Sequence, residues 1–376
     1  MSQSIRIATF NIAFDHEGPG QLATELLAGQ SPQAHRVAEI LQRTRPDMVL
    51  LTEFDHDGSG AEHSGLTAFQ EHFLDHPHGD AAPIHYPYRY LVPSNTGLAA
   101  GIDLDGDGKL SLPGDAQGFG HYHGQYAMAV LSRYPLLLER RRSFQHFLWR
   151  NMPGALLPDA EPGSGRGDFY SPEALAVLRL SSKNHLDLPV LLPGGRVLHL
   201  LALHPTPPVF DGPERRNARR NHDEIRLFCD YIDGADYLVD DQGQRGGLAG
   251  DASFVLLGDL NADPHDGDGL KDAIRALLAH PRLNTEAASG RWVPASLGAS
   301  AFAADRDHQG PKGHWTHIYP LRLDYVLPSA NLEVTASGVY WPKPGNTQRH
   351  LVEQDGDQGK GASSDHRLVW VEIQYP

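Results

Sequence analysis

"SFVLLGDLNADP", residues 253–264, is the stretch on whose reading the fold turns. An apolar run of strand length, Phe254–Leu257, stops at three small oxygen-bearing residues in alternate positions, Asp259, Asn261 and Asp263. Asp, Asn, Gly and Pro are ordinary turn residues, so a plain turn accounts for the stretch taken by itself. The pattern recurs along the chain, however. "IRIATF", "DMVLLT", "AMAVLS", "VLHLLAL", "LDYVLP" and "RLVWVEI" are further apolar runs, continuous rather than alternating. Continuous runs imply strands buried on both faces, as in a layered fold with helices outside or sheets stacked together. Helices fall between some of them. "SPQAHRVAEILQRTRP" offers Ser31 as N-cap, Pro32 in the first turn, and Ala34, Val37, Ala38 and Leu41 at helical spacing. "GPERRNARRNHDEIRLFCDYI" gives a second helix with Ile225, Phe228, Cys229 and Ile232 as its buried stripe, and a third is expected over residues 269–279.

The chain has 376 residues, 40% of them hydrophobic, enough for a substantial core. Its 32 basic and 47 acidic residues give a net charge of -15, which argues against holding polyanions on a broad basic surface while allowing a local cationic site. The single cysteine, Cys229, falls in an apolar helical pattern and leaves the redox compartment open. No run approaches the roughly 18 apolar residues that a membrane span needs. The opening "MSQSIRIATFNIAF" reads as a strand and not as a leader, so location is left open between the cytoplasm and secretion with a leader removed. Long segments rich in Gly, Pro, Asp and His, near 92–124, 150–172 and 284–320, are read as insertions in one domain spanning residues 1–376. Loops this long in a compact domain tend to serve function.

The ends of the apolar runs carry the chemistry. "IATFN" ends in Asn11, "VLLTE" in Glu53, "LLALH" in His204 and "LLGDLN" in Asp259 and Asn261; "RLD" holds Asp324 and "SSDH" supplies Asp365 and His366. In stacked α/β layers, strand ends converge at one edge, so residues far apart in sequence meet there. Glu53 is either a solvated carboxylate or a ligand for a hard cation such as Mg²⁺, which prefers oxygen donors. Asp259 and Asn261, two apart on an extended strand end, would point the same way, one to orient water and the other to bind a phosphate oxygen. His366 offers charge to a developing phosphorane if a carboxylate holds its ring, and Asp324 is the candidate.

The ordered series "TFN", "TE", "LH", "GDLN", "RLDYVL" and "SSDH" resembles the endonuclease/exonuclease/phosphatase superfamily of metal-dependent phosphoesterases, which includes DNase I-like nucleases, abasic-site endonucleases, neutral sphingomyelinases and inositol polyphosphate 5-phosphatases. Each motif alone is weak; all six in order, from residue 9 to residue 366, are specific. The resemblance implies a DNase I-like four-layer α/β/β/α sandwich of two stacked mixed sheets with long loop insertions. It also implies Mg²⁺, or Mn²⁺, as cofactor, a phosphate-ester substrate with nucleic acid among the candidates, no stable membrane insertion, and a monomer. Carried over by position, Asn11 and Glu53 flank the metal, Asp365 is a metal-site or water-shell carboxylate, Asp259 positions or deprotonates water, and Asn261 binds the scissile phosphate. His366 pairs with Asp324, and His204 is the second catalytic histidine. In related nucleases that histidine has a carboxylate partner; near "GQYAMAVLS" this chain offers Gln125 and Tyr126 instead, which makes Tyr126 a substitute contact to substrate. Sphingomyelinase-like or inositol-phosphatase-like activity, or a silent Ca²⁺-dependent binding module, are the alternatives.

Three further features stand apart. "DLDGDGKLSLPGD" places Asp103, Asp105 and Asp107 before Gly108, as in the first half of an EF-hand-type loop, but position twelve is Gly114 and Asp115 follows; a structural Ca²⁺ and an acidic surface turn are both open. Arg215, Arg216, Arg219, Arg220 and Arg226 crowd one helix, where Arg220 and Glu224 at i,i+4 favour a solvated face, with Arg220 aimed at substrate phosphate as the alternative. "FLWRNMPGALLP" carries Phe147, Trp149 and Met152, which either pack an insertion onto the core or form the one candidate lipid-facing patch, at residues 147–157.

Overall fold

A computed structural model describes residues 3–304, 307–354 and 356–375. The described residues form eleven strands: β1 (Gln3–Phe14), β2 (Met48–Phe54), β3 (Tyr88–Val92), β4 (Met128–Ser132), β5 (Arg142–Ser143), β6 (His185–Leu192), β7 (Arg196–Leu203), β8 (Phe254–Asp259), β9 (Asp324–Pro328), β10 (Glu333–Val339) and β11 (Val369–Tyr375); the apolar runs supply β1, β2, β4, β7, β8, β9 and β11, and the other four are not among the strands expected. They form two mixed sheets, in the orders β10-β11-β1-β2-β4-β3 and β5-β6-β7-β8-β9. Each sheet holds one parallel pair, β1 with β2 and β7 with β8, and the remaining neighbours are antiparallel. A parallel pair needs a crossover, and helices supply it: Gln21–Ala28 and Pro32–Thr44 between β1 and β2, and Arg216–Ile232 between β7 and β8.

The continuous apolar runs are explained by burial on two faces. Along β7, Leu198, Leu200 and Ala202 join the core between the sheets, while Leu201 and Leu203 join the core under the outer helices. In β8 the split is Val255 and Leu257 against Phe254 and Leu256, as the two-residue period of a strand requires. Ile225, Phe228 and Ile232 from one helix, with Ile274 and Leu277 from the helix Lys271–Leu278, cover that outer face. Burying each such side chain contributes roughly 1.5–3 kcal/mol, far more than helix propensity supplies. On the other sheet Val37, Ala38 and Leu41 pack down as their spacing predicts, and Ser31 Oγ caps the helix by accepting from Ala34 N at 3.2 Å. The result is the α/β/β/α sandwich expected from the sequence.

The helix Arg216–Ile232 departs from the expectation of a solvated, ion-paired face. Arg220 donates to the carbonyls of Leu180, Gln117 and Arg179, and Glu224 accepts from Ser182 N and Thr206 N, each at 2.6 Å. Asp223 takes the Trp149 indole N–H and Leu156 N, both at 2.7 Å. The polar side of this helix is thus a clamp for the loops around it, because buried backbone donors and acceptors of irregular segments must find partners. Phe147, Trp149 and Met152 are buried, so the stretch 147–157 packs an insertion onto the core and presents no lipid-facing patch. Exposed aromatics lie elsewhere, at Tyr88, Phe119, Phe210 and Tyr319. No helix of the described residues is long and apolar enough to cross a membrane.

Candidate active site

The two parallel pairs bring their carboxyl ends to the same edge of the sandwich, where open α/β sheets carry their ligands. Asn11, near the end of β1, donates through Nδ2 to Glu53 Oε1 at 2.9 Å and to Asp259 Oδ2 at 3.1 Å, tying the end of β2 to the end of β8 across the two sheets. Asp259 Oδ2 also lies 3.5 Å from His204 Nε2, at the end of β7, and 3.6 Å from His366 Nε2. One carboxylate oxygen therefore meets an amide and two imidazoles drawn from positions 11, 204 and 366.

Strain marks the same edge. Glu53, Tyr126 and Asn261 have φ of +59°, +58° and +51°, in the left-handed region that costs a non-glycine residue about 1–3 kcal/mol. At Asn261 this overturns the expectation of an extended strand end. The chain turns after Asp259, Asn261 N donates to Asp259 Oδ1 at 2.9 Å, and its side-chain amide donates to the Pro205 carbonyl at 3.2 Å. At Tyr126 the turn is held by Asp55, whose Oδ1 accepts Tyr126 N at 2.7 Å.

His366 is held as the sequence suggested. Its Nδ1 lies 2.9 Å from Asp324 Oδ2, which also accepts from Thr316 Oγ1 at 2.7 Å, and Asp324 faces Asp259 in the β8–β9 register. Burial opposes charge on His366, yet Asp324, Asp259 and Asp365 together hold its pKa well above the ordinary value. Burial pushes Glu53 up to about 7 and Asp259 up to about 6, against the lowering influence of His366 and of the Asn11 amide. His204 goes the other way. Burial, helped by the charges of Lys183 and His366, keeps its pKa well below the ordinary value, and its Nδ1 has no hydrogen-bond partner among the described residues.

Asp365 falls in a neighbouring group. Burial would raise its pKa, but the hydrogen bond from His317 Nε2 at 3.3 Å and the charges of His366 and His317 hold it well below the carboxylate range. His317 Nδ1 accepts Tyr319 N at 2.9 Å, which leaves the proton on Nε2 for Asp365, and the His317 and His366 rings meet edge to face with centroids 4.4 Å apart. Ser364 Oγ donates to the Asn11 carbonyl at 2.7 Å and accepts His366 N at 3.0 Å, fixing this loop to β1. Single ligand atoms of Glu53, His204 and Asp259 lie within 4.8 Å of one another, and so do those of His317, Asp365 and His366. The first group could hold a cation; in the second His366 is kept charged and both ring nitrogens of His317 are taken up by Tyr319 N and Asp365.

Three expected contacts are altered. Arg220 is engaged by the backbone carbonyls of Leu180, Gln117 and Arg179 and serves to tie the insertions beside it to the helix. Gln125 does not replace a carboxylate beside His204; it accepts His121 N and donates to the His16 carbonyl. Tyr126 feels the charges of Asp15, Glu53 and Asp55 as well as burial, and all of them raise its pKa, so the phenol keeps its proton. In the acidic loop, Asp103, Asp105 and Asp115 converge within 4.8 Å, with Asp115 in place of the expected Asp107, whose Oδ1 accepts Lys109 N instead. Sequence reasoning missed Ser364, His317, Glu224 and Lys183. The first two stood beside recognised motifs, in "SSDH" and in "THIYPLRLD", whereas Glu224 and Lys183 carried no local signal.

The sequence profile of the Endonuclease/Exonuclease/phosphatase family matches residues 8–366. No curated protein matches. Among solved structures, a family protein from Bacteroides thetaiotaomicron is similar over 100% of this chain and 99% of its own, at 12% identity and a TM-score of 0.50. One from Beutenbergia cavernae is similar over 99% of this chain and 72% of its own, at 17% identity and a TM-score of 0.48. A double mutant of beta toxin from Staphylococcus aureus with bound magnesium ions is similar over 98% of this chain and 99% of its own, at 14% identity and a TM-score of 0.48. The chain belongs to the endonuclease/exonuclease/phosphatase family, whose members are phosphoesterase hydrolases.

Proposed function

We propose that the protein is a divalent-cation-dependent phosphoesterase that hydrolyses a phosphodiester by direct attack of water, with Asp259 as the group that takes the water's proton. The observation that carries this reading is the shared Asp259 oxygen, 3.1 Å from the Asn11 amide and within 3.6 Å of two imidazoles. A carboxylate raised to about 6 is a stronger base than an ordinary one, yet still ionised near neutrality. The bond that forms joins the water oxygen to phosphorus, and the bond that breaks is from phosphorus to the ester oxygen. His366, kept charged by Asp324, would donate to the non-bridging oxygens as charge gathers on them, where a fixed donor is worth most. The leaving oxygen needs a proton, and Tyr126, which keeps its own, and His204, beside Asp259, are the candidates to supply it.

The residues present fit a hard cation. Glu53 and Asp259 are two carboxylates whose charge burial disfavours, and a single amide nitrogen serves both. Mg²⁺ or Mn²⁺ on Glu53 and its neighbours would draw electron density from a phosphoryl oxygen. Asn11 orients the two acids, and Asn261, in the turn after Asp259, would bind the reacting phosphate.

The test is hydrolysis of bis-p-nitrophenyl phosphate with and without Mg²⁺, comparing the parent with His366→Ala. The expected result is metal-dependent turnover that falls at least 100-fold in the variant. Equal, metal-independent background in both would identify a binding module instead. Plasmid DNA, RNA, sphingomyelin and inositol phosphates, each with Mg²⁺, Mn²⁺ and Ca²⁺, then separate the substrate classes.

A further inference from the structure

Lys183 is a buried side chain that the chemistry above does not use. It is 6% exposed, and its neighbours fix it with unusual care. Its carbonyl accepts Asn95 N at 2.9 Å from the insertion near 92–124, and the next residue, Asn184, donates to the Pro93 carbonyl at 2.9 Å. On the other side, Glu224 accepts Ser182 N and Thr206 N through its two oxygens, so one carboxylate holds the chain on both sides of Lys183 and His204. The pairing of β6 with β7 ends at His185 and Leu203, so Lys183 and Asn184 leave the sheet at the same end as His204, and the charge of Lys183 acts on the His204 ring.

The ammonium itself is poorly matched. Among the described residues it has no hydrogen bond and no carboxylate within ion-pair distance, although it interacts electrostatically with Glu224, Glu53, Asp259 and His204. Glu224, the acid with the strongest influence on it, has both oxygens occupied by backbone amides. An ammonium on a side chain this buried keeps little of its hydration, and the protein offers it no carboxylate at ion-pair distance in return. An arriving anion would complete the arrangement.

We propose that Lys183 is a substrate-contacting residue: its ammonium, held beside His204 without an ion-pair partner, receives a non-bridging oxygen of the scissile phosphate. This inference rests on the phosphoesterase reading. It gives the His204 side of the site the cation that His366 supplies on the other, and no bond is made or broken at the lysine. A lysine serves as a point charge with three donors, which suits a phosphate whose orientation the amides set.

Thermal melting of the Mg²⁺-loaded protein with and without inorganic phosphate tests the inference apart from turnover. Phosphate is expected to raise the melting temperature of the parent. Lys183→Met should lose most of that rise, and Lys183→Arg should keep it. Without phosphate, Lys183→Met should melt no lower than the parent, since it removes an unmatched buried charge. On bis-p-nitrophenyl phosphate its kcat should fall roughly 100-fold. An undiminished phosphate response in Lys183→Met overturns the proposal. So does a drop in its melting temperature that a second change, Glu224→Gln, restores, since that would make the lysine a structural counterion. A parent that responds to phosphate through Lys183 but hydrolyses no ester would instead sink the phosphoesterase reading alone.

Discussion

The two flanks of Asp259 are built from the same kind of residue and behave in opposite ways. On one side His366 has a carboxylate on Nδ1, a threonine behind that carboxylate, and a second imidazole against its ring. On the other, His204 is also buried and its Nε2 lies 3.5 Å from Asp259, but its Nδ1 has no partner among the described residues, and the charges of Lys183 and His366 work against an imidazolium there. Burial by itself disfavours the imidazolium in both cases. The surroundings of Nδ1 decide the outcome: Asp324 makes His366 a standing positive charge, whereas His204 has no such carboxylate and burial with the charges of Lys183 and His366 leaves it neutral. The site therefore has one histidine made to hold charge and one able only to share or pass a proton.

The sharpest way to break this contrast is Asp324→Asn. The amide keeps the shape but not the charge, so turnover should fall roughly 100- to 1,000-fold. The alkaline limb of the pH–rate profile should move to lower pH, because His366 would give up its proton sooner without Asp324. An unmoved limb would mean that Asp324 does not set the charge of His366. His204→Gln should cost only about tenfold in kcat, the worth of one hydrogen bond of some 1.4 kcal/mol, with the alkaline limb unchanged. A loss as large as that of Asp324→Asn would make the two flanks equivalent.

The smallest effect is on stability. Glu53 and Asp259, raised to about 7 and about 6, bind protons more tightly in the folded chain than in the unfolded one, where carboxyls titrate near 4. Their contribution is fully present below about pH 4 and is lost as pH rises through about 6 to 7. Melting of the chelator-treated protein should therefore fall by a few degrees between pH 5 and pH 8. Glu53→Gln should flatten part of that slope and saturating Mg²⁺ most of it. A slope identical in parent and variant would place the titration elsewhere.

Much of this site could be read along the chain because strand ends announce themselves. Apolar runs report burial locally, and a polar residue that stops one, such as Asn11, Glu53, His204 or Asp259, lies at the edge where layers converge. The arginines of Arg216–Ile232 misled for the converse reason. An i,i+4 pair predicts a surface contact only when nothing nearer competes, and here the loops folded over the helix offered carbonyls that no sequence pattern encodes. In the acidic loop, spacing named Asp107, but the turn that closes the loop brings in Asp115.

By itself the sequence determined the buried strands and the order of their polar termini, since periodicity and motif order are properties of the chain, and the family resemblance those motifs carry pointed to the sandwich and to Asp324 as the partner of His366. Tertiary structure alone decided that His204 Nδ1 has no partner among the described residues, that Arg220 is a clamp, and that Lys183 is buried without a carboxylate at ion-pair distance. Whether a polar group is satisfied depends on distances of a few ångströms between segments that only packing brings together.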